Sequence, residues 1–352
     1  MITVQRIVVP DTRERSWVLF DDGRSVVSAN QYLLYLHHLG RSPNTVRAYA
    51  HHLQAFANFL SDYGRDWKTI NLTELAQFVA WLRRGEPSDD RPRSNTTINT
   101  ILAAVGSFYE YQDRMGIETP ISRSRRFGAK SPYKPLLHHI SRNGSMRRAV
   151  MQVRVTRRLP RVFSAQEVQA LINACARCRD RLLVSLLYES GMRIGQALGL
   201  RHADIRSYDG EIDIVPRSNS NGALAKSRSP YTVHVSKELM ELYADYLVHE
   251  YQETSQDYVF LNCWGGRIGA PMTYPAAIDL FRRLGVKTGL HATPHMFRHT
   301  HATDLLRAGW DAAYVQRRLG HTQIQTTINT YAHLSTGDMG KMFARYQQER
   351  AR

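Results

Sequence analysis

Three short stretches near the end of the chain carry residue types suited to attack on a phosphodiester: Pro294-His295-Met296-Phe297-Arg298-His299, Leu319-Gly320-His321 and Thr330-Tyr331-Ala332-His333. His295 and Arg298 are three residues apart, so a helix would present them on one face. Tyr331 offers a hydroxyl nucleophile. The transition state of such an attack gathers negative charge on the non-bridging oxygens, and preorganised cations are the strongest lever on it. Arginine suits that task better than lysine, because its planar fork grips two oxygens and never loses its charge. Upstream, Arg193 follows Gly191-Met192 ahead of an apolar run, and Lys226 lies near a hairpin tip. Each residue alone has a plain structural reading: Arg193 a cap, Lys226 a solvated loop cation, Tyr331 a core aromatic. Their order along one chain carries the argument.

The elements that must position these groups are mostly helical. From Ser28 the apolar period is that of a helix. Ser42-Pro43-Asn44-Thr45 opens a second helix, with Pro in its first turn and Val46, Tyr49, Leu53, Phe56 and Leu60 at spacings of three and four. Helices are expected near 72–84 and 95–115, separated by the polar loop Glu86–Ser94. Residues 1–27 alternate apolar and polar around the turn Asp21-Asp22-Gly23, as a β-hairpin arm would. Its expected role is packing rather than DNA contact. A capping box, Ser164 to Glu167, opens a second domain. Two strand-like runs, Glu211–Val215 and Tyr231–Val235, interrupt it. Helices follow near 236–251, 274–284, 295–307, 311–318, 323–333 and 336–349. The expected fold is therefore mainly α with a small β-sheet (α+β). The expected domains are an arm at 1–27, a helical module at 28–120, a basic linker at 121–163 and a larger domain at 164–352.

Composition narrows the partners. The chain carries 47 Lys+Arg against 31 Asp+Glu, a formal net charge of +16, so it favours polyanions. Twelve of the basic residues fall between Arg123 and Arg161, among them Arg125, Arg126, Arg157 and Arg158, with no acid in that stretch. Such a run can track a duplex backbone by phosphate contact. No apolar run is long enough for a membrane helix, and Met1–Arg6 lack the apolar core of a signal peptide. Three cysteines imply no disulfide framework and a reducing, cytoplasmic setting. Cys175-Ala176-Arg177-Cys178 has no second pair nearby, so a structural reading is preferred to zinc.

Arg193, Lys226, His295, Arg298, His321 and Tyr331 together form an ordered set that resembles the tyrosine recombinases, the phage-integrase family, of the mobile-element type. Gly191-Met192-Arg193-Ile194-Gly195-Gln196-Ala197-Leu198 is similar to the box around that family's first catalytic Arg. Pro294–Thr300 is similar to its His-x-x-Arg box, and Leu319-Gly320-His321 with Thr330-Tyr331 to its last two. Ser42–Tyr49 resembles the opening of its helical, SAM-like core-binding domain. The resemblance implies that this domain and a catalytic domain clamp double-stranded DNA, with Thr45 and Arg47 among the contacts. It implies that Tyr331 forms a 3′-phosphotyrosyl bond while Arg193 and Arg298 clamp the phosphate. His295 and His321 would serve as base and oxyanion donors, and Lys226 as the acid for the leaving 5′-oxygen. Neither metal, cofactor nor ATP is implied. A homo-tetramer that exchanges its tail, Lys341–Tyr346, is implied, as is a possible directionality factor. Phage integrase, transposon recombinase and dimer resolvase stay open. A type IB topoisomerase-like relaxing enzyme and a non-catalytic DNA-binding protein of the same fold are the alternatives.

Three departures from the family pattern stand out. Gln196 occupies a usual Glu position, where support of the local helix is the expected role. Ten residues, rather than the common nine, separate His321 from Tyr331. The hairpin is longer than usual, so Arg217 or Lys226 could fill the catalytic lysine position; Lys226 is preferred because an amine can release a proton. On one unbroken helix, ten residues would set His321 and Tyr331 roughly 15 Å apart. The chain is therefore expected to break at Gly320 and restart at a capping box, Thr322 to Gln325, which would let Tyr331 act in its own subunit or another.

Overall fold

The computed structural model describes residues 2–8, 15–85, 92–121, 151–155, 161–224, 229–251, 257–320, 340 and 347. The chain divides into two compact units, Met1–Arg157 and Arg158–Arg352.

The first unit opens with three antiparallel strands, β1 (Ile2–Val8), β2 (Arg15–Asp21) and β3 (Arg24–Ser25), in that spatial order. Asp22 and Gly23 take positive φ between β2 and β3, so the turn lies where its residue types place it. Four helices follow: α1 (Val27–His38), α2 (Pro43–Asp62), α3 (Leu72–Arg84) and α4 (Asn95–Arg114). Their starts are written locally. The Ser42 and Ser94 hydroxyls accept the backbone N–H of Thr45 and Thr97, and Asn71 and Glu74 close a reciprocal capping box.

The strands are not a separate arm. Ile2 and Leu19 enter the same core as Phe56, Phe59 and Phe78. Asn30 of α1 bonds both the N–H and the carbonyl of Leu19. A continuous core needs that apolar face, because a lone sheet of this size cannot bury it. The described parts of the basic linker are likewise anchored. Asn99 of α4 makes paired bonds to Val153 N–H and carbonyl, each 2.8 Å, and Phe163 is buried in the core of the second unit.

The second unit is built around α6 (Cys178–Ser190), which is buried on nearly every side and carries Arg179 and Asp180 as a buried pair. Around it lie α5 (Ala165–Ala174), α7 (Ile194–Ala197), a short 3₁₀ turn at His202–Asp204, and an antiparallel sheet of β4 (Ile205–Arg206), β5 (Glu211–Ile214) and β6 (Tyr231–His234). Then come α8 (Lys237–His249), α9 (Tyr274–Thr288), α10 (Pro294–Arg307) and α11 (Ala312–Leu319). Cys175 is buried, its thiol donating to the Leu171 carbonyl, and burial pushes it up to about 12. Among the described residues no helix is long and apolar enough to cross a membrane, and no His, Cys, Asp or Glu cluster is arranged to hold a metal ion. The helices expected at 323–333 and 336–349, the capping box at Thr322 and the tail Lys341–Tyr346 lie outside the described residues.

Candidate active site

Helix α6 ends where Gly191 turns left-handed, with φ 62°. A β-carbon there would fall 2.5 Å from the His301 ring and 2.8 Å from the Leu319 side chain, so only glycine fits. The chain then delivers Arg193 to the start of α7, where its N–H donates to the Gln196 side chain at 2.8 Å. Gln196 is buried, and its amide in turn donates to the Tyr231 hydroxyl of β6 at 3.0 Å. Gln196 thus supports the local backbone and ties the Arg193 turn to the sheet.

Arg298 rises from α10 with its residue only 2% exposed. One Nη donates to the Gly191 carbonyl and the other to the Leu319 carbonyl, both at 2.8 Å. One guanidinium therefore pins two chain turns, the one before Arg193 and the one before His321. Both of these bonds go to carbonyls rather than to a carboxylate. Carbonyl dipoles fix the plane of the fork while leaving its full positive charge in place, which an anion site requires.

The Tyr231 hydroxyl also reaches the Leu319 carbonyl at 3.5 Å. Burial pushes this hydroxyl above the usual tyrosine range, against the opposing pull of Arg298 and Arg193. α11 ends at Gly320, with φ 61° and ψ 40°, the expected break. A β-carbon on Gly320 would lie 2.6 Å from the Tyr231 ring. Leu319 and Gly320 are thus seated against β6 and Arg298 together.

The first turn of α10 presents His295 on the surface, its ring 4.4 Å from that of His299. Burial, with His295 and Arg298 adding to it, lowers His299 to about 4, so its imidazole is neutral at pH 7. One turn on, His301 is buried and lowered to about 3 by burial first, then by Arg318.

Arg193, Arg298, Leu319 and Gly320 are thereby brought to one place. Lys226, His321 and Tyr331 lie outside the described residues, as do Arg125, Arg126, Arg157 and Arg158. Arg217, the other candidate for the hairpin position, makes a forked pair with buried Asp204, both contacts 2.5 Å. In the first unit, the Thr45 hydroxyl lies 2.8 Å from the Ser42 hydroxyl at the head of α2. Arg47 is exposed and sits 5.3 Å over the Trp17 ring.

Sequence reading missed Tyr231, His301 and Arg318. Tyr231 reads as an ordinary strand aromatic, and Arg318 as the usual cation in a last helical turn. Only packing gives them partners: Tyr231 from α7 and α11, and Arg318 from α6, α10 and β6.

The Phage integrase family profile matches residues 161–337, and the Phage integrase, N-terminal SAM-like domain profile matches residues 29–116. Transposase A from transposon Tn554 of Staphylococcus aureus is 41% identical over 357 residues, covering 99% of this chain and 98% of that protein. Tyrosine recombinase XerD of Halalkalibacterium halodurans is 28% identical over 315 residues, covering 87% and 92%. Among solved structures, the Tn1549 transposon integrase in complex with transposon right end DNA has a TM-score of 0.65 at 18% identity, covering 92% of this chain and 99% of that one. The XerH site-specific recombinase bound to palindromic difH substrate has a TM-score of 0.61 at 21% identity, covering 88% and 81%. At those identities the structural likeness is one of fold.

Proposed function

The chain belongs to the phage integrase family of tyrosine recombinases and is a site-specific DNA recombinase of the integrase/transposase type; on that premise we propose that it cleaves and rejoins double-stranded DNA with Arg193, Lys226, His295, Arg298, His321 and Tyr331. The observation that carries this reading is the pair of hydrogen bonds from Arg298 to the Gly191 and Leu319 carbonyls. It draws the Arg193 turn and the approach to His321 around one buried cation.

Tyr331 attacks a backbone phosphate. Its hydroxyl proton must leave during attack, because a free tyrosine loses it only near pH 10. Of His295 and His321, one takes that proton and the other donates to the phosphate. Arg193 and Arg298 hold the non-bridging oxygens as charge builds there. Lys226 protonates the departing 5′-oxygen. The forked pair of Arg217 with Asp204 supports this choice, since it commits Arg217 to holding the 3₁₀ turn. The products are a 3′-phosphotyrosyl bond and a free 5′-hydroxyl. The 5′-hydroxyl of a second duplex then displaces Tyr331, so one phosphoester is exchanged for another and no ATP is consumed.

The solved relatives named above are complexes with DNA, which supports a duplex as the partner. Thr45, Arg47 and the basic residues Arg125, Arg126, Arg157 and Arg158 are the proposed backbone contacts, and the 41% identity to a transposase favours a mobile element. A cytoplasmic tetramer that exchanges its C-terminal tails, with an accessory directionality factor, completes the proposal.

A nicked suicide substrate tests it. Wild type should give an SDS-resistant covalent adduct, unaffected by EDTA, and Tyr331→Phe should give none. An adduct with the Phe variant, or none with wild type, overturns the assignment. Strand exchange between two labelled sites separates recombination from simple relaxation.

A further inference from the structure

The last turn of α11 is held by a group that the reaction itself does not use. Arg318 lies one residue before Leu319 and reaches back into the unit. Its Nε donates to His301 Nε2 at 3.0 Å, and its Nη2 donates to the Glu189 carbonyl at 2.9 Å and the His234 carbonyl at 2.7 Å. These three acceptors belong to α10, the end of α6 and the end of β6, the three elements that surround the candidate site.

The His301 ring is fixed in turn. Nε2 accepts from Arg318, so the nitrogen that bonds the Tyr188 backbone is Nδ1, and the imidazole is neutral. The same ring closes over Gly191, where no β-carbon could enter. Burial disfavours its protonated form, and a second cation beside the Arg318 guanidinium would disfavour it further. The pairing of a buried neutral imidazole with a guanidinium is therefore stable as it stands.

Arg318 and Arg298 thus grip neighbouring residues from two directions. Arg298 takes the Leu319 carbonyl, and Arg318 anchors its own residue to three elements. Only Gly320 separates this doubly held turn from His321. Gly320 is held as well: its N–H donates to the Arg317 carbonyl at 3.0 Å, and it lies against the Tyr231 ring in its left-handed conformation.

We propose that Arg318, seated on the neutral His301 acceptor, is a positioning residue that sets the direction in which the chain leaves Gly320 and so aims His321 at the scissile phosphate. This rests on the reading of His321 as a catalytic residue. A lysine at 318 would keep the charge but could not span three acceptors with one ammonium. A displacement of about 1 Å at a catalytic group can cost on the order of 100-fold in rate.

The experiment measures adduct formation in single turnover at saturating suicide substrate, with DNA affinity measured separately. Arg318→Lys should slow the adduct step by about 10-fold and leave Kd within about 3-fold. His301→Gln, which retains a neutral side-chain acceptor for Arg318, should slow it by about 3-fold or less. The decisive arm is Arg318→Lys in a His321→Ala background. If Arg318 acts through His321, the lysine should then cost less than about 2-fold, because groups acting as a unit are not additive. An equal cost in both backgrounds, a Kd that rises as far as the rate falls, or an unchanged rate for Arg318→Lys overturns the proposal. Absence of an adduct with wild type would instead overturn the catalytic reading on which it stands.

Discussion

Arg298 fastens two turns, and in the proposed mechanism it also holds the phosphate; its replacement reads both. Arg298→Lys can satisfy one of the two carbonyls, and the other loses a charge-assisted bond in a buried place, at a cost of about 1–3 kcal/mol. We expect a lower urea midpoint together with a loss of adduct formation of at least about 100-fold. The neighbouring imidazoles give stability a pH dependence of defined sign. His301 is lowered to about 3 from an ordinary value of 6.5, so between those pH values the unfolded chain binds a proton that the folded one does not. That stability is fully present above 6.5 and declines as the pH falls toward 3. His299, lowered to about 4, acts in the same direction. Urea titrations at pH 7.5 and 5.5 should differ by about 1 kcal/mol on account of His301, and His301→Gln should flatten the difference. Arg193, His295 and Arg298 could be singled out in the sequence because each sits in a short motif whose spacing is a local fact. His301 and Arg318 were not, since an imidazole acceptor for a guanidinium seventeen residues away is a product of packing.

Two glycine turns make the scaffold of the site, at the C-termini of α6 and α11. Both sit near φ +60° and both abut a ring, His301 at Gly191 and Tyr231 at Gly320. Gly320→Ala combines backbone strain with steric overlap, a destabilisation of about 2–5 kcal/mol. Trimming the ring in Tyr231→Ala/Gly320→Ala should recover only the overlap part, readable as a non-additive term in a double-mutant cycle by urea denaturation. Tyr231→Phe alone keeps the ring and removes the hydroxyl that Gln196 bonds, for about 1 kcal/mol. Some helix starts and stops could be read from sequence, because Ser42, Ser164 and Gly320 carry their instructions within a few residues. The docking of residues 151–155 on α4 could not. Asn99 bonds the Val153 backbone from 54 residues away, and nothing in a basic, proline-punctuated stretch announces such a partner. Packing of the N-terminal strands was expected, but the helical core as what they pack into was not named, for the same reason. Alternation identifies a buried face without naming what covers it.

At the scale of the whole molecule, a net charge of +16 and an acid-free run from Arg123 to Arg161 make DNA affinity a function of salt. If six to ten phosphates are neutralised, affinity should fall about 10³- to 10⁵-fold between 50 and 200 mM salt. Replacing Arg125, Arg126, Arg157 and Arg158 by Gln should reduce the slope of log K against log salt by about 3–4. Filter binding over a salt series measures both, and an unchanged slope would remove these four residues from the interface. The double grip of Arg298 has a further consequence, in the currency of descent. On the proposed mechanism, a lineage that abandoned strand exchange but kept its attachment to DNA would no longer need the Tyr331 hydroxyl. It could not discard Arg298 so freely, because those two turns would come loose with it. Silent descendants of this enzyme should therefore retain the buried guanidinium long after the nucleophile has gone, a fossil of chemistry preserved by its second employment as a fastener.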